Sequence, residues 1–195
     1  MRVGLLGGSF NPAHAGHRHV ANLARSRLRL DQVWLLVSPG NPLKPRSGMA
    51  PLSERLAGAR AIAGGRRLIA TGIEAALGTR YTVDTLSMLR RRFPRTQFVW
   101  IMGADILEQF PRWRRWIEIA GQLSFVVLPR PSYNHRALAG LAARRLRSSR
   151  RPASQAALLP GSAPGWVFLP APQIAISATA IRASLAAVPA QPALV

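Results

Sequence analysis

Val3-Gly4-Leu5-Leu6-Gly7-Gly8-Ser9-Phe10-Asn11-Pro12-Ala13-His14-Ala15-Gly16-His17 is the stretch that decides the fold. Val3 to Leu6 is a short apolar run, long enough for a buried strand and too short for a signal peptide. Gly7 and Gly8 let the chain turn sharply and bring main-chain amides close to a ligand. A helical pattern follows, with Val20, Leu23, Ala24 and Leu28 on one face and Arg18, Asn22, Arg25 and Arg29 on the other. The start of such a helix has unpaired N–H groups and is a natural anion site.

Outward from this unit the pattern repeats. Val33–Val37, Leu68–Thr71, Phe98–Met102, Phe125–Leu128 and Trp166–Leu169 are continuous apolar runs, as expected of strands buried on both faces. Residues 82 to 93 carry Val83, Leu86, Leu89 and Phe93 at helical spacing. Strand–helix alternation predicts an α/β domain, a parallel sheet with helices on both faces. Ligands in such a sheet collect beyond the strands' carboxyl ends. Gly7-Gly8-Ser9-Phe10, Ser38-Pro39-Gly40-Asn41, Gly72-Ile73-Glu74, Gly103-Ala104-Asp105 and Pro129-Arg130 occupy those places. Residues 144–151 read as an arginine-bearing helix, and Ser154–Pro164 as a mobile connection back to the sheet. One domain over residues 1–188 is expected, with 189–195 as a frayed tail.

Composition narrows the function. The chain has 195 residues, no cysteine and a net charge of +20, with Lys44 its only lysine. The missing cysteine excludes disulfides, thiolate metal sites and a cysteine nucleophile. No apolar run is long enough to cross a membrane, and the expected location is the cytoplasm. The charge attracts polyanions, but the aromatic residues lie away from the arginine run. Arginines on solvated helix faces explain it without a specific nucleic-acid partner.

His14 and His17 are three residues apart and can share a face of the first turn. Two imidazoles over a helix N-terminus suit phosphate chemistry, because fixed donors stabilise charge developing on phosphate oxygens. Metal binding by this pair fits poorly, since no carboxylate or third histidine stands at ligand spacing. Ile176-Ser177-Ala178-Thr179-Ala180-Ile181-Arg182 offers a second phosphate site. There Ser177 is placed to cap a helix running from Ile181 to Ala187, with hydroxyls and Arg182 converging. Trp113 presents a flat face for stacking an aromatic ring, whereas Trp116 reads as core. Amides near Thr82 and Trp113 are placed to hold an anionic group on such a ring. Asp105 suits a ribose hydroxyl or a magnesium-bound water.

Gly-Gly-x-Phe-x-Pro-x-His-x-Gly-His resembles the signature of the HxGH nucleotidyltransferase superfamily, and Ile176–Arg182 resembles its second motif. Arg80-Tyr81-Thr82-Val83-Asp84-Thr85-Leu86, Gly103-Ala104-Asp105 and Phe110-Pro111-Arg112-Trp113 resemble segments of bacterial nicotinate-mononucleotide adenylyltransferases. The similarity runs in order from residue 2 to about 187. It implies a Rossmann-like sheet and the transfer of the adenylyl group of ATP to nicotinate mononucleotide, with Mg²⁺ carried on the ATP phosphates. By resemblance His14 and His17 are catalytic. Gly8, Ser9, Phe10, Lys44, Gly103, Asp105, Ile176, Ser177, Thr179 and Arg182 are expected at ATP and its phosphates. Tyr81, Thr82, Trp113 and Arg130 are expected at the pyridine nucleotide. Ala178 replaces a common serine, and Leu43 replaces a histidine usual before Lys44. Other acceptors, nicotinamide mononucleotide or pantetheine phosphate, are the alternatives within the superfamily. A basic nucleic-acid binder is the alternative outside it.

Overall fold

A computed structural model describes residues 1–40, 48–172, 176 and 178–186. The chain runs β1 (Arg2–Gly8), α1 (Ala15–Arg27), β2 (Gln32–Val37), α2 (Leu52–Ala63), β3 (Leu68–Thr71), α3 (Ile73–Ala76) and α4 (Thr82–Arg92). It continues with β4 (Gln97–Gly103), α5 (Ala104–Gln109), α6 (Trp116–Gln122), β5 (Ser124–Leu128), α7 (Asn134–Ala139), α8 (Leu141–Arg145), β6 (Trp166–Phe168) and α9 (Ala178–Ala186). Short 3₁₀ turns span Phe110–Arg112, Arg147–Ser149 and Ala153–Leu158.

The six strands pair in the order β3-β2-β1-β4-β5-β6, every pair parallel. The order reverses direction at β1 and β4, which are neighbours in the sheet and distant in sequence. The crevice where ligands bind in this architecture therefore lies between Gly8 and Gly103, at the ends of those two strands. Side chains alternate across the pleat and feed two cores. Leu5, Leu36, Trp100 and Met102 pack against α4 to α8, while Leu6, Leu35, Val99 and Ile101 pack against α1 and α2. All six expected strands are present. β3 departs in one respect: it is an edge strand, and Ile69 is exposed on it rather than buried.

Two local expectations are corrected. The region after α8 is no mobile link. Its 3₁₀ turn Ala153–Leu158 buries Ala156 in the second core, and Leu159, just after the turn, is buried there too. Trp166 locks the far end: it is fully buried, stacks on Phe125 at 5.6 Å and donates its indole N–H to the Leu146 carbonyl at 2.8 Å. The arginine run is not one helix. α8 stops at Arg145, and a 3₁₀ turn follows at Arg147–Ser149. Beyond Phe110 the chain leaves the α-helical path of α5. A 3₁₀ turn ends at Arg112, Trp113 is extended, and Arg115 takes a left-handed conformation (φ 54°) before α6. Among the described residues no helix is long and apolar enough to cross a membrane.

Candidate active site

At the end of β1 the chain turns through Gly8-Ser9 and enters α1 at His14, an extended residue just before the first helical turn. His14 is 7% exposed, and its ring centroid lies 3.8 Å from that of His17. The His14 main-chain N–H donates to His17 Nδ1 at 3.2 Å. That bond fixes the tautomer of a neutral His17, with the proton on Nε2. Burial, then His14 and Arg130, bring the His17 pKa down from its usual 6.5 to about 3. Burial and Arg130 also lower that of His14. At neutral pH the pair therefore works as uncharged imidazoles, with His17 Nε2–H a fixed donor. Both histidines sit where the sequence places them.

Beside this turn lies a cavity of about 370 Å³. Gly8, Ser9, Ser38 and Gly103 line it from the strand ends, Tyr81, Thr82, Trp100 and Trp113 from the walls. Arg80, Arg112 and Arg114 add exposed guanidiniums at its edge. Trp100 lies against β1 where only glycine fits: a Cβ on Gly7 would stand 2.8 Å from its ring. Trp113 meets Trp100 edge-on at 6.1 Å and Phe110 at 5.6 Å. It is half-buried, so it serves the core and the cavity together. Trp116 is packed against Phe110, as expected of a core residue. The start of α4 points at the cavity through Thr82, whose N–H has no acceptor among the described residues. The Trp113 N–H is different. It donates to the Phe110 carbonyl at 2.9 Å, so of the amides expected near Trp113 this one is already bonded within the chain.

Several sequence-derived positions fall elsewhere in this site than expected. The Phe10 side chain is 1% exposed and packs 4.8 Å from the His17 ring, so only its backbone is free for a ligand. Arg130 does not line the aromatic cavity. Its charge acts on both histidines, and its Nε lies 3.9 Å from Asp105 Oδ1. Asp105 folds back over Gly103, where a Cβ would collide with its carboxylate. Gly8, Ser9 and Gly103 line the aromatic cavity as well as the phosphate turn. α9 begins at Ala178, ahead of the expected Ile181. Arg182 donates one nitrogen to the Asn11 carbonyl and the other to Thr179 Oγ1 at 3.3 Å. A Cβ on Gly16 would stand 3.7 Å from the Ile176 carbonyl. The two motifs, over 150 residues apart, thus meet at one place. Lys44 and Ser177 lie outside the described residues, as does the tail 189–195.

Two charged groups stand outside the expected site residues. Glu74 lines the cavity, and burial raises its pKa against hydrogen bonds from Ser38 and Thr85. Its strand-end place after β3 was marked by the sequence, without a role. Arg55, on α2, is 4% exposed and hydrogen-bonds three loop carbonyls beneath the turn. No motif marks it.

A parallel sheet with this strand order, a histidine pair at the β1–α1 turn and an arginine motif folded onto it define a nucleotidyltransferase architecture. The cytidylyltransferase-like family model matches residues 5–184, and the chain belongs to that family. Its relatives are more particular. It is 60% identical over 184 residues, 94% of this chain and 86% of the other, to a Gluconacetobacter diazotrophicus protein named "Probable nicotinate-nucleotide adenylyltransferase". A Gluconobacter oxydans protein of the same name is 57% identical over 187 residues, 94% of this chain and 95% of the other. In fold the chain resembles the Plasmodium falciparum nicotinic acid mononucleotide adenylyltransferase complexed with NaAD. The TM-score is 0.71 at 14% identity, over 93% of this chain and 82% of that one.

Proposed function

We propose that this chain transfers the adenylyl group of ATP to nicotinate mononucleotide, giving deamido-NAD and pyrophosphate, a step of NAD biosynthesis. The observation that carries the reading is an aromatic-walled cavity that shares the Gly8-Ser9 turn with the histidine pair. The pyridine ring stacks on Trp113, where a pyridinium gains a cation–π contribution of roughly 0.5–2 kcal/mol. With the Trp113 N–H committed, the free N–H of Thr82 and the nearby arginines take the ring carboxylate. Tyr81 supports that end, with Arg114 4.7 Å above its ring.

The acceptor's 5′-phosphate oxygen attacks the α-phosphorus of ATP in line, the new P–O bond forming as the bond to pyrophosphate breaks. Gly8, Ser9 and the Phe10 amide face the phosphates, and His14 and His17 donate to oxygens whose charge grows in the transition state. Arg182, with Thr179 and the Ile176 region, grips the β- and γ-phosphates from the other side, and Ser177 and Lys44 are assigned to the same task. Gly103 and Asp105 are assigned to the nucleoside. Arg130, next to the histidines, serves the reacting phosphates in this reading rather than the pyridine. Mg²⁺ carried on the ATP phosphates would supply charge neutralisation for the departing pyrophosphate. The residues fit a metal delivered in that way: imidazoles and guanidiniums dominate, and Asp105, facing Arg130, is the carboxylate assigned to a metal-bound water. The reading places the enzyme in the cytoplasm.

Pyrophosphate release from ATP and Mg²⁺ tests this, with nicotinate mononucleotide, nicotinamide mononucleotide and pantetheine phosphate compared as acceptors. Release with the nicotinate nucleotide well above the others is expected. Release with none of the pyridine nucleotides overturns the assignment.

A further inference from the structure

Arg55 is a buried cation that belongs to no motif, and its contacts explain why it is there. It lies at the start of α2, 4% exposed. Nε donates to the Ala50 carbonyl at 2.8 Å, and Nη1 donates to the Ser9 carbonyl at 2.8 Å and the Ser38 carbonyl at 2.7 Å. No carboxylate pairs with it among the described residues. Burying a guanidinium without an anion is costly, and a methionine of similar length would fill the space more cheaply. The cost is consistent with a demand placed on the three carbonyls it holds.

Ser9 and Ser38 line the cleft, one after β1 and the other after β2. A carbonyl turned into that cleft would repel phosphate oxygens. Arg55 draws both carbonyls the other way. In a trans peptide the C=O and the following N–H point in opposite directions. Holding the Ser9 carbonyl on Arg55 therefore aims the Phe10 N–H away from Arg55, and that N–H has no acceptor among the described residues. The conformation is not one the chain adopts unaided: Phe10 has φ 49°, a left-handed geometry unfavourable for a phenylalanine. Two devices hold it, the burial of the Phe10 ring and the Arg55 bond to the peptide before it.

The same network extends further. Ala50, whose carbonyl Arg55 holds, donates its N–H to Asn11 Oδ1 at 3.2 Å, and Asn11 Nδ2 donates to the Gly48 carbonyl at 2.9 Å. The Asn11 carbonyl in turn receives Arg182. A continuous hydrogen-bonded path thus runs from α2 through the histidine turn to the second motif.

We propose that Arg55 is a positioning residue for adenylyl transfer. It sets the Ser9–Phe10 peptide so that the Phe10 N–H faces the reacting phosphates, and it touches no substrate itself. The inference rests on the adenylyltransferase reading above. A donor aimed at charge developing in the transition state is worth about a hundredfold or more in turnover.

The test compares wild type with Arg55→Met and Arg55→Lys by steady-state kinetics, with circular dichroism to verify folding. Arg55→Met is expected to lower kcat about a hundredfold, with KM for ATP and for the mononucleotide changed by much smaller factors. Arg55→Lys, which keeps a donor on the Ser9 carbonyl, is expected to recover a large part of the loss. A folded Arg55→Met enzyme with wild-type kcat, or one that loses only substrate affinity, overturns the proposal. A second measurement does not depend on any variant folding. In ¹⁵N-labelled wild-type protein, pyrophosphate and a non-hydrolysable ATP analogue should shift the Phe10 amide strongly downfield, and a Phe10 amide indifferent to both overturns the proposal. Wild-type protein that makes no dinucleotide would instead refute the functional reading, so the two failures are distinguishable.

Discussion

At the residue scale the most consequential finding is that the paired histidines are neutral. His17 holds its Nδ1 on a main-chain N–H and has its pKa near 3, so it stabilises charge as a hydrogen-bond donor. His17→Ala is expected to cut turnover by a factor on the order of a hundred or more, with the apparent ATP affinity moving much less. A variant with normal turnover and only a raised KM would assign it to binding instead. The depressed pKa also has a stability consequence. The unfolded chain takes up this proton near pH 6.5 and the folded chain resists it down to about 3. Stability is therefore whole above about pH 6.5 and declines as pH falls below it, by about 2 kcal/mol at pH 5. Denaturant melts at pH 7 and pH 5 should show His17→Asn losing less over that interval than wild type does. Trp113→Ala should weaken use of the pyridine nucleotide and leave ATP binding nearly intact. An unaffected variant would return that tryptophan wholly to the core, where its ring already meets Trp100 and Phe110.

Among the elements, those with a strong period were legible, and the irregular ones were not. Six apolar runs became six strands, and residues 82 to 93 became α4, because burial on both faces or along one stripe leaves a direct imprint on residue type. The Ala-, Pro- and Ser-rich stretch before β6 carries no such imprint. It is held from outside, by the contacts of Ala156 and Leu159 and by Trp166. Trp166→Ala should accordingly cost about 3–5 kcal/mol in a denaturant melt. It should also open residues 146 to 165 to proteolysis, although the stretch looks like a linker. A variant melting within 1 kcal/mol of wild type, about the cost of an ordinary substitution, would contradict that account. α9 makes the opposite case. Its Arg182 is bonded to the Asn11 carbonyl on an exposed surface, so Arg182→Met should leave the melting temperature nearly unchanged while raising KM for ATP.

Over the whole molecule the dominant feature is a charge of +20, spread across the arginine-rich helix faces and the 144–151 run. Weak binding to RNA and DNA is expected, falling steeply as salt rises from low to near-physiological concentration, because it rests on released counter-ions. Tight binding that survives such salt and prefers a sequence would give the basic surface a function of its own. The same surplus favours the proposed chemistry. ATP, a mononucleotide and pyrophosphate are all anions, and arginines stand both at the cavity edge and beside the histidines.

The sequence by itself determined the parallel α/β fold, the histidine turn and the arginine motif. Each rests on a local regularity: an apolar run, a glycine pair before a helix, a capped helix start. Only the tertiary structure decided how these parts share one cleft. Arg130 stands by Asp105 and the histidines because β5 ends beside β4. The Trp113 amide bonds the Phe110 carbonyl of a 3₁₀ turn, and the Phe10 ring lies buried beside a left-handed backbone. Arg55 gains its place from Ser9, 46 residues away along the chain, and Glu74 from Thr85, 11 residues away. Such contacts depend on the packing of loops from different strands, and no periodicity in the sequence records them.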